Sequence, residues 1–213
     1  MSNPFYFMNI IQRFMRFFFR LLYHPFAFTY DLVAAIVSFG KWKDWTKSVI
    51  PLINGTRILE LGHGPGHLQR ILLDLKLDSV AMDESAQMGT LAKRNIGKPH
   101  KLTRGLAQQL PFANNSFDCV ISTFPTEYIF NAQTLSETRR CLSDRGRLIV
   151  LPVAWPKSGF LKWLYKVTGE TPVDGQASIR EKLTMPFINA GFETEVEIVE
   201  LQSSTLMIIV ANK

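Results

Sequence analysis

The residues best suited to holding a ligand lie in Ile58-Leu59-Glu60-Leu61-Gly62-His63-Gly64-Pro65-Gly66-His67-Leu68. Three glycines at alternate positions follow a short apolar run, so the backbone there can approach a bound molecule closely. Glu60 sits near the end of that run, and a second acid, Asp83, closes the next apolar run, Ser79 to Met82. Two carboxylates suit a ligand with a cationic amino group and a ribose diol, and they suit a pyrophosphate badly. The dinucleotide fingerprint requires a glycine where His67 stands, and a phosphate-binding loop of the Walker type requires a Gly-Lys-Ser/Thr that does not follow. The dinucleotide-binding oxidoreductase reading therefore ranks below the others.

These residues need a scaffold of strand, glycine turn, helix and strand. Thr56 to Leu61 predicts the first strand, Leu68 to Leu75 has helical spacing, and Ser79 to Met82 predicts the second strand. Ala86 to Asn95 follows as a helix, Phe117 to Thr123 as a buried strand, Ala132 to Leu142 as a helix and Arg147 to Pro152 as a strand. Strands alternating with helices imply a parallel sheet covered on both faces, an α/β fold. The tail departs from that pattern. Ile179 to Ala190 is helical, and Glu193 to Leu201 and Thr205 to Ala211 are strand runs close enough to pair antiparallel.

The 213 residues are 46% hydrophobic and 20% charged, which suits a compact domain with a substantial core and excludes a disordered or disulfide-stapled chain. Of the net charge of +6, most lies in residues 1–50, where Arg13, Arg16, Arg20, Lys41, Lys43 and Lys47 face only Asp31 and Asp44. Half of the 16 Phe fall in the first 30 residues. Asn9, Gln12, Arg13, Arg16 and Arg20 recur at helical spacing and form one cationic stripe on an otherwise apolar helix, which Pro25 ends. Further helical stretches follow over 29–39 and 42–52. The charges interrupt the apolar segment, which argues against both a spanning helix and a cleaved signal. The expected organisation is an aromatic-rich helical arm over 1–53 and a ligand-binding domain over 54–213, interrupted by an insert over 154–175. Cys119 and Cys141 have no metal-ligand or disulfide spacing, so no metal is expected and a reduced, cytoplasmic setting is the default.

From about residue 54 onward the sequence resembles the class I S-adenosylmethionine-dependent methyltransferases, most closely those of ubiquinone and menaquinone biosynthesis. Several motifs carry the resemblance in order. Leu59-Glu60-Leu61-Gly62-x-Gly64-x-Gly66 matches the first and Val80-Ala81-Met82-Asp83-Glu84-Ser85 the second. Gly105-Leu106-Ala107-Gln108-Gln109-Leu110-Pro111-Phe112 looks like the adenine-side loop, and Ser116-Phe117-Asp118-Cys119-Val120-Ile121-Ser122 like the fourth strand. Glu137-Thr138-Arg139-Arg140-Cys141-Leu142 with Gly146-Arg147-Leu148, then Ala190-Gly191-Phe192, complete the set. The resemblance implies a Rossmann-like, doubly wound sheet of seven strands, mostly parallel with an antiparallel C-terminal hairpin. It also implies S-adenosylmethionine as cofactor, on a site that includes Glu60, Gly62, His63, Gly64, Gly66, Asp83, Glu84 and Ala107. By that resemblance Glu60 shapes the pocket near the amino group, Asp83 accepts from both ribose hydroxyls and Ala107 offers its backbone to the adenine. Leu106 stands where the family often has an Asp reaching the adenine amino group, which keeps a catalytically silent, methyltransferase-like partner as an alternative. His63 and His67 could serve as bases, but His63 occupies a variable slot of the loop and packing is the preferred role. Glu137 is expected to pair with Arg139 or Arg140.

Methyl transfer is driven by its leaving group, so positioning and exclusion of water carry much of the catalysis. The segment after the fourth strand, Thr123-Phe124-Pro125-Thr126-Glu127-Tyr128, makes Glu127 and Tyr128 the acid/base and positioning candidates. No Asn-Pro-Pro-Tyr motif is present, which disfavours nucleic acid as substrate. The arm and the insert both combine Phe or Trp with Lys or Arg, a composition of interfacial helices. The leading expectation is a small lipophilic acceptor, such as a quinone precursor or lipid, with peripheral contact at the inner membrane face through residues 5–23. A lid over a soluble acceptor is the alternative use of these segments.

Overall fold

The structure is a computed structural model and describes residues 41–98, 100–157 and 172–213. The helices expected in the N-terminal arm and over 29–39, and the insert between 158 and 171, lie outside the described residues.

Seven strands form one sheet in the order β3-β2-β1-β4-β5-β7-β6. They are β1 (Arg57–Leu61), β2 (Asp78–Asp83), β3 (Leu102–Arg104), β4 (Phe117–Thr123), β5 (Leu142–Pro156), β6 (Glu193–Glu200) and β7 (Ser204–Asn212). β1 pairs in parallel with both β2 and β4, β4 with β5 and β2 with β3. β7 runs antiparallel between β5 and β6. The expected doubly wound sheet with a terminal hairpin is therefore present. Its strand order reverses between β1 and β4, the switch point at which such sheets leave a crevice beyond their C-terminal ends.

Alternate residues of the central strands enter opposite cores, as period-two side-chain geometry demands. Leu59, Leu61, Val120, Leu148, Val150 and Ile209 share one core with Leu135 and Phe187. Those two come from α4 (Ala132–Cys141) and α5 (Pro172–Asn189). Ile58, Cys119, Ile121, Ile149, Ile208 and Val210 face the other core, with Leu68 and Leu72 of α2 (His67–Asp74) and Trp45 of α1 (Trp42–Lys47). α3 (Ala86–Ile96) packs beside β2 and β3.

Several elements differ from expectation. The helix expected over 42–52 stops at Lys47 and resumes as a single 3-10 turn, Ile50–Leu52, because Pro51 has no N–H to extend an α-helix. β3 carries no pattern in its three residues. β5 runs on to Pro156 into the range assigned to the insert, paired with β7 across a register shift between Val150 and Val153. α5 begins at Pro172, ahead of Ile179. In addition, Trp45 and Val49 are buried, and the Trp45 indole N–H donates to Ser204 Oγ at 3.0 Å. α1, within the range assigned to the arm, thus packs on the same core as the strands.

Asp118 ties the start of β1 to β4. Its carboxylate accepts from the Thr56 and Arg57 backbone N–H groups at 3.2 and 3.1 Å and from Arg57 Nη2 at 2.5 Å. The Arg57 guanidinium, helped by those N–H groups, lowers the Asp118 pKa from 3.8 to about 2. A depressed carboxylate pKa gives a contribution to stability that is complete above the unfolded value and disappears as pH falls through the folded one. Asp118→Asn should therefore be less stable than the wild type at neutral pH, with the gap closing between pH 3.8 and about 2. Thermal melts across that range check this, and a gap independent of pH would contradict it.

Candidate functional site at the switch point

β1 ends at Leu61, and the next residue, Gly62, has φ +74° and donates its N–H to Met82 O at 2.8 Å. A side chain there would be strained and its Cβ would run into the Tyr128 hydroxyl. Gly64 (φ +51°) differs, because a Cβ would meet nothing within 4 Å. Its bare face borders a cavity of about 430 Å³. Gly66 is the N-cap of α2, where a Cβ would press on Ile96 and Ala92 of α3.

Asp83 joins this turn to the next helix. Its Oδ2 accepts the Gly64 N–H at 2.9 Å and its Oδ1 accepts the Ser85 N–H at 2.8 Å. Ser85 in turn caps α3 by accepting the Met88 N–H at 3.2 Å. Each carboxylate oxygen keeps further lone-pair capacity. Behind the turn, Glu60 is 1% exposed, and its Oε2 has no hydrogen-bond partner among the described residues. Burial, and then the Asp83 charge, push its pKa well above the ordinary carboxylate range. His63 is also buried, at 4% exposure, and its Nδ1–H donates to Gly64 O at 2.7 Å. Burial lowers its pKa, while Asp83 and its backbone acceptors oppose that shift.

On the β3 side the cavity is lined by Gly105, Ala107 and Gln108. The loop carrying them is anchored to α4 by an ion pair. Glu137 accepts the Leu110 N–H at 2.9 Å, and Arg140, 2.8 Å from Glu137, donates to Leu110 O at 3.1 Å and Phe112 O at 2.8 Å. The Arg140 guanidinium lowers the Glu137 pKa. Leu106 is 48% exposed and is not among the residues that line the cavity.

The β4 side is built differently. Phe124 lines the cavity at φ +50°, an unusual backbone state for a bulky residue, with its N–H bonded to Leu151 O at 2.7 Å. Its ring centroid lies 4.3 Å from that of Trp42 and 5.8 Å from that of Trp45. This aromatic packing offsets the backbone cost. The Tyr128 hydroxyl reaches Leu61 O at 3.0 Å and Ser122 Oγ at 2.8 Å, and Ser122 Oγ also donates to Leu61 O at 2.8 Å. Tyr128 therefore braces the end of β1 against β4.

Of the residues expected in the site, Gly62, Gly64, Asp83, Glu84, Ala107 and Tyr128 line the one cavity. Glu60, His63 and Gly66 support it from behind. Glu127 is exposed at the start of the 3-10 turn Glu127–Phe130, and Tyr128 reaches the cavity in its place. Phe124, Arg104 and Gln108 also line it. Their sequence neighbourhoods mark the loops after β3 and β4, but nothing in the sequence marks a left-handed Phe.

The fold and the site together define a doubly wound α/β domain with a cavity at its switch point, bordered by a glycine turn and a carboxylate. A family profile described as a methyltransferase domain matches residues 59–150. The demethylmenaquinone methyltransferase of Thermotoga maritima is 33% identical over 143 residues, covering 64% of this chain and 62% of that protein. The demethylmenaquinone methyltransferase of Lactiplantibacillus plantarum is 30% identical over 169 residues, covering 73% and 71%. The phosphoethanolamine N-methyltransferase 2 of Haemonchus contortus, solved with phosphomonomethylethanolamine and S-adenosylhomocysteine, superposes with a TM-score of 0.62 at 18% identity, over 91% of this chain and 59% of that one. The chain belongs to the class I S-adenosylmethionine-dependent methyltransferases. The match spans about three fifths of the Thermotoga relative, 62% of its length.

The contact between Gly62 and Tyr128 yields a test. Gly62→Ala should cost about 2 kcal/mol or more, from backbone strain and overpacking, and Tyr128→Phe about 0.5–1.5 kcal/mol, from the lost hydroxyl. The double variant should lose less than the sum, because removing the hydroxyl clears the space that the new methyl group needs. Urea denaturation of the four proteins measures this, and strict additivity would show that the two groups do not touch.

Proposed function

We propose that this chain binds S-adenosylmethionine in the switch-point cavity and transfers its methyl group to a small, lipophilic acceptor at a membrane surface, with a quinone precursor as the favoured class. The carrying observation is the meeting of the bare Gly64 face and the Asp83 carboxylate in one cavity. The residues fit that cofactor. Asp83 has lone pairs left for a ribose diol, Ala107 and Gln108 border the far end, and the buried Glu60 carboxyl has an unpartnered oxygen near the turn. When bound, S-adenosylmethionine supplies a methyl group already activated by a sulfonium leaving group.

The chain contributes placement. The glycine turn and Asp83 fix one end of the cavity, while Phe124, Pro125 and Tyr128 wall the other and exclude water. The Tyr128 hydroxyl is engaged with Leu61 and Ser122, so its role is to hold geometry at the β4 end. The names of the relatives, which are quinone-biosynthesis methyltransferases, support the acceptor class. The cationic stripe of Arg13, Arg16 and Arg20 on a Phe-rich segment supports peripheral contact with the inner face of a membrane. Among the described residues, no helix is long and apolar enough to cross one.

Calorimetry should detect S-adenosylhomocysteine binding and no NADH binding. Asp83→Ala should weaken the former about tenfold to a hundredfold, the value of a charge-assisted hydrogen-bonded diol. Unchanged affinity would remove Asp83 from the ligand site. Labelled methyl donor incubated with a lipid extract or demethylmenaquinol should yield a labelled lipid product, and no transfer to any lipid would refute the acceptor assignment.

The membrane reading has a separate readout. At about 1 kcal/mol for each basic residue, changing Arg13, Arg16 and Arg20 to Glu should reduce partitioning to anionic liposomes at least a hundredfold, and added salt should weaken binding of the wild type. Sedimentation that shows no binding, or binding indifferent to both changes, would assign the arm to covering the cavity.

A further inference from the structure

The Gly64 peptide groups are held from two sides by side chains that come from different directions. Asp83 takes the Gly64 N–H at 2.9 Å, and His63 gives its Nδ1–H to the Gly64 carbonyl at 2.7 Å. A carbonyl oxygen only accepts, so this contact places the proton on Nδ1. Gly64 needs such restraint more than its neighbours do. A Cβ on Gly62 or Gly66 would press on surrounding atoms, whereas nothing lies within 4 Å of the Cβ position of Gly64. No residue beyond its chain neighbours would press on a side chain there, so the two hydrogen bonds are the restraints that its surroundings supply.

We propose that His63 is a positioning residue of the cofactor turn, clamping the Gly64 carbonyl so that the Gly64 N–H stays on Asp83 and its bare face stays open to the cavity. This rests on the reading of the cavity as the cofactor site. An imidazole that merely filled space would act through its volume. In the clamp it acts through one N–H, and its burial at 4% exposure keeps water from competing for the carbonyl. Burial also favours the neutral ring, which leaves the donor on Nδ1 and adds no cation beside Asp83.

Asparagine and leucine separate the two roles. On the same Cβ–Cγ stem, the asparagine amide nitrogen can stand where Nδ1 stands, while leucine fills the space without a donor. We expect His63→Leu to weaken S-adenosylhomocysteine binding about threefold to tenfold, the value of one hydrogen bond. His63→Asn should recover most of that loss, whatever its thermal stability. The backbone amide of Gly64, followed by hydrogen exchange in the free protein, should exchange faster in His63→Leu than in the wild type or His63→Asn. Should His63→Leu fail to fold, His63→Met, which also fills the space without an N–H donor, replaces it. Binding by the donorless variant equal to wild type overturns the proposal, and so does an asparagine variant as weak as the leucine one. If the wild type itself does not bind S-adenosylhomocysteine, the cofactor reading fails, and Gly64 exchange still decides whether the clamp exists.

Discussion

The glycine-turn side of the switch-point cavity depends on the two hydrogen bonds that the Asp83 carboxylate accepts. One comes from Gly64, just past β1, and the other from Ser85, at the head of α3. Both donors are backbone N–H groups that would otherwise face a partly buried space with no partner, a costly state. An ionised acceptor makes such bonds shorter and stronger. Asp83 stands in reach of both because the parallel register places Leu61 beside Met82, one residue short of the acid. Sheet pairing therefore sets the position of the carboxylate, and the carboxylate sets the turn.

The opposite wall is held by apolar packing and hydroxyls. Phe124 occupies its left-handed conformation against the rings of Trp42 and Trp45, and Trp45 is fixed across the fold by Ser204, 159 residues away. A pocket residue is thus supported by a helix that does not border the pocket. The two walls meet at Leu61, whose carbonyl accepts from Ser122 and Tyr128 while the following N–H pairs with β2. A rigid centre with one polar and one aromatic wall suits a reaction that depends on holding two dissimilar partners in line.

Much of this arrangement was legible in the sequence because its signals are local. Glycines at alternate positions, an acid at the end of an apolar run and a change of period between strands and helices each occupy a few consecutive residues. What escaped depends on distance. The burial of Trp45 arises from contacts with strands far along the chain, so α1 read as part of an arm. β3 is too short to show a period, and Glu127 and Tyr128, adjacent in sequence, were separated only by the turn that exposes one and points the other at β1. The early start of α5 at Pro172 falls within the Pro- and Gly-containing range assigned to the insert, 154–175.

The electrostatics of the turn suit a diol better than a phosphate. Three titratable side chains cluster there, but they do not contribute three charges. Burial and the neighbouring Asp83 favour the protonated form of Glu60, and burial favours the neutral form of His63. A single carboxylate therefore dominates, and it sits where the N-terminus of α3 and the glycine turn already direct N–H groups at it. In many phosphate sites, such N–H groups are left open for the ligand. Here Asp83 occupies the Gly64 and Ser85 donors and adds a negative charge, so an anionic ligand meets repulsion where it would need donors. Hydroxyl groups would meet the reverse, because the remaining lone pairs on the carboxylate can accept hydrogen bonds from them.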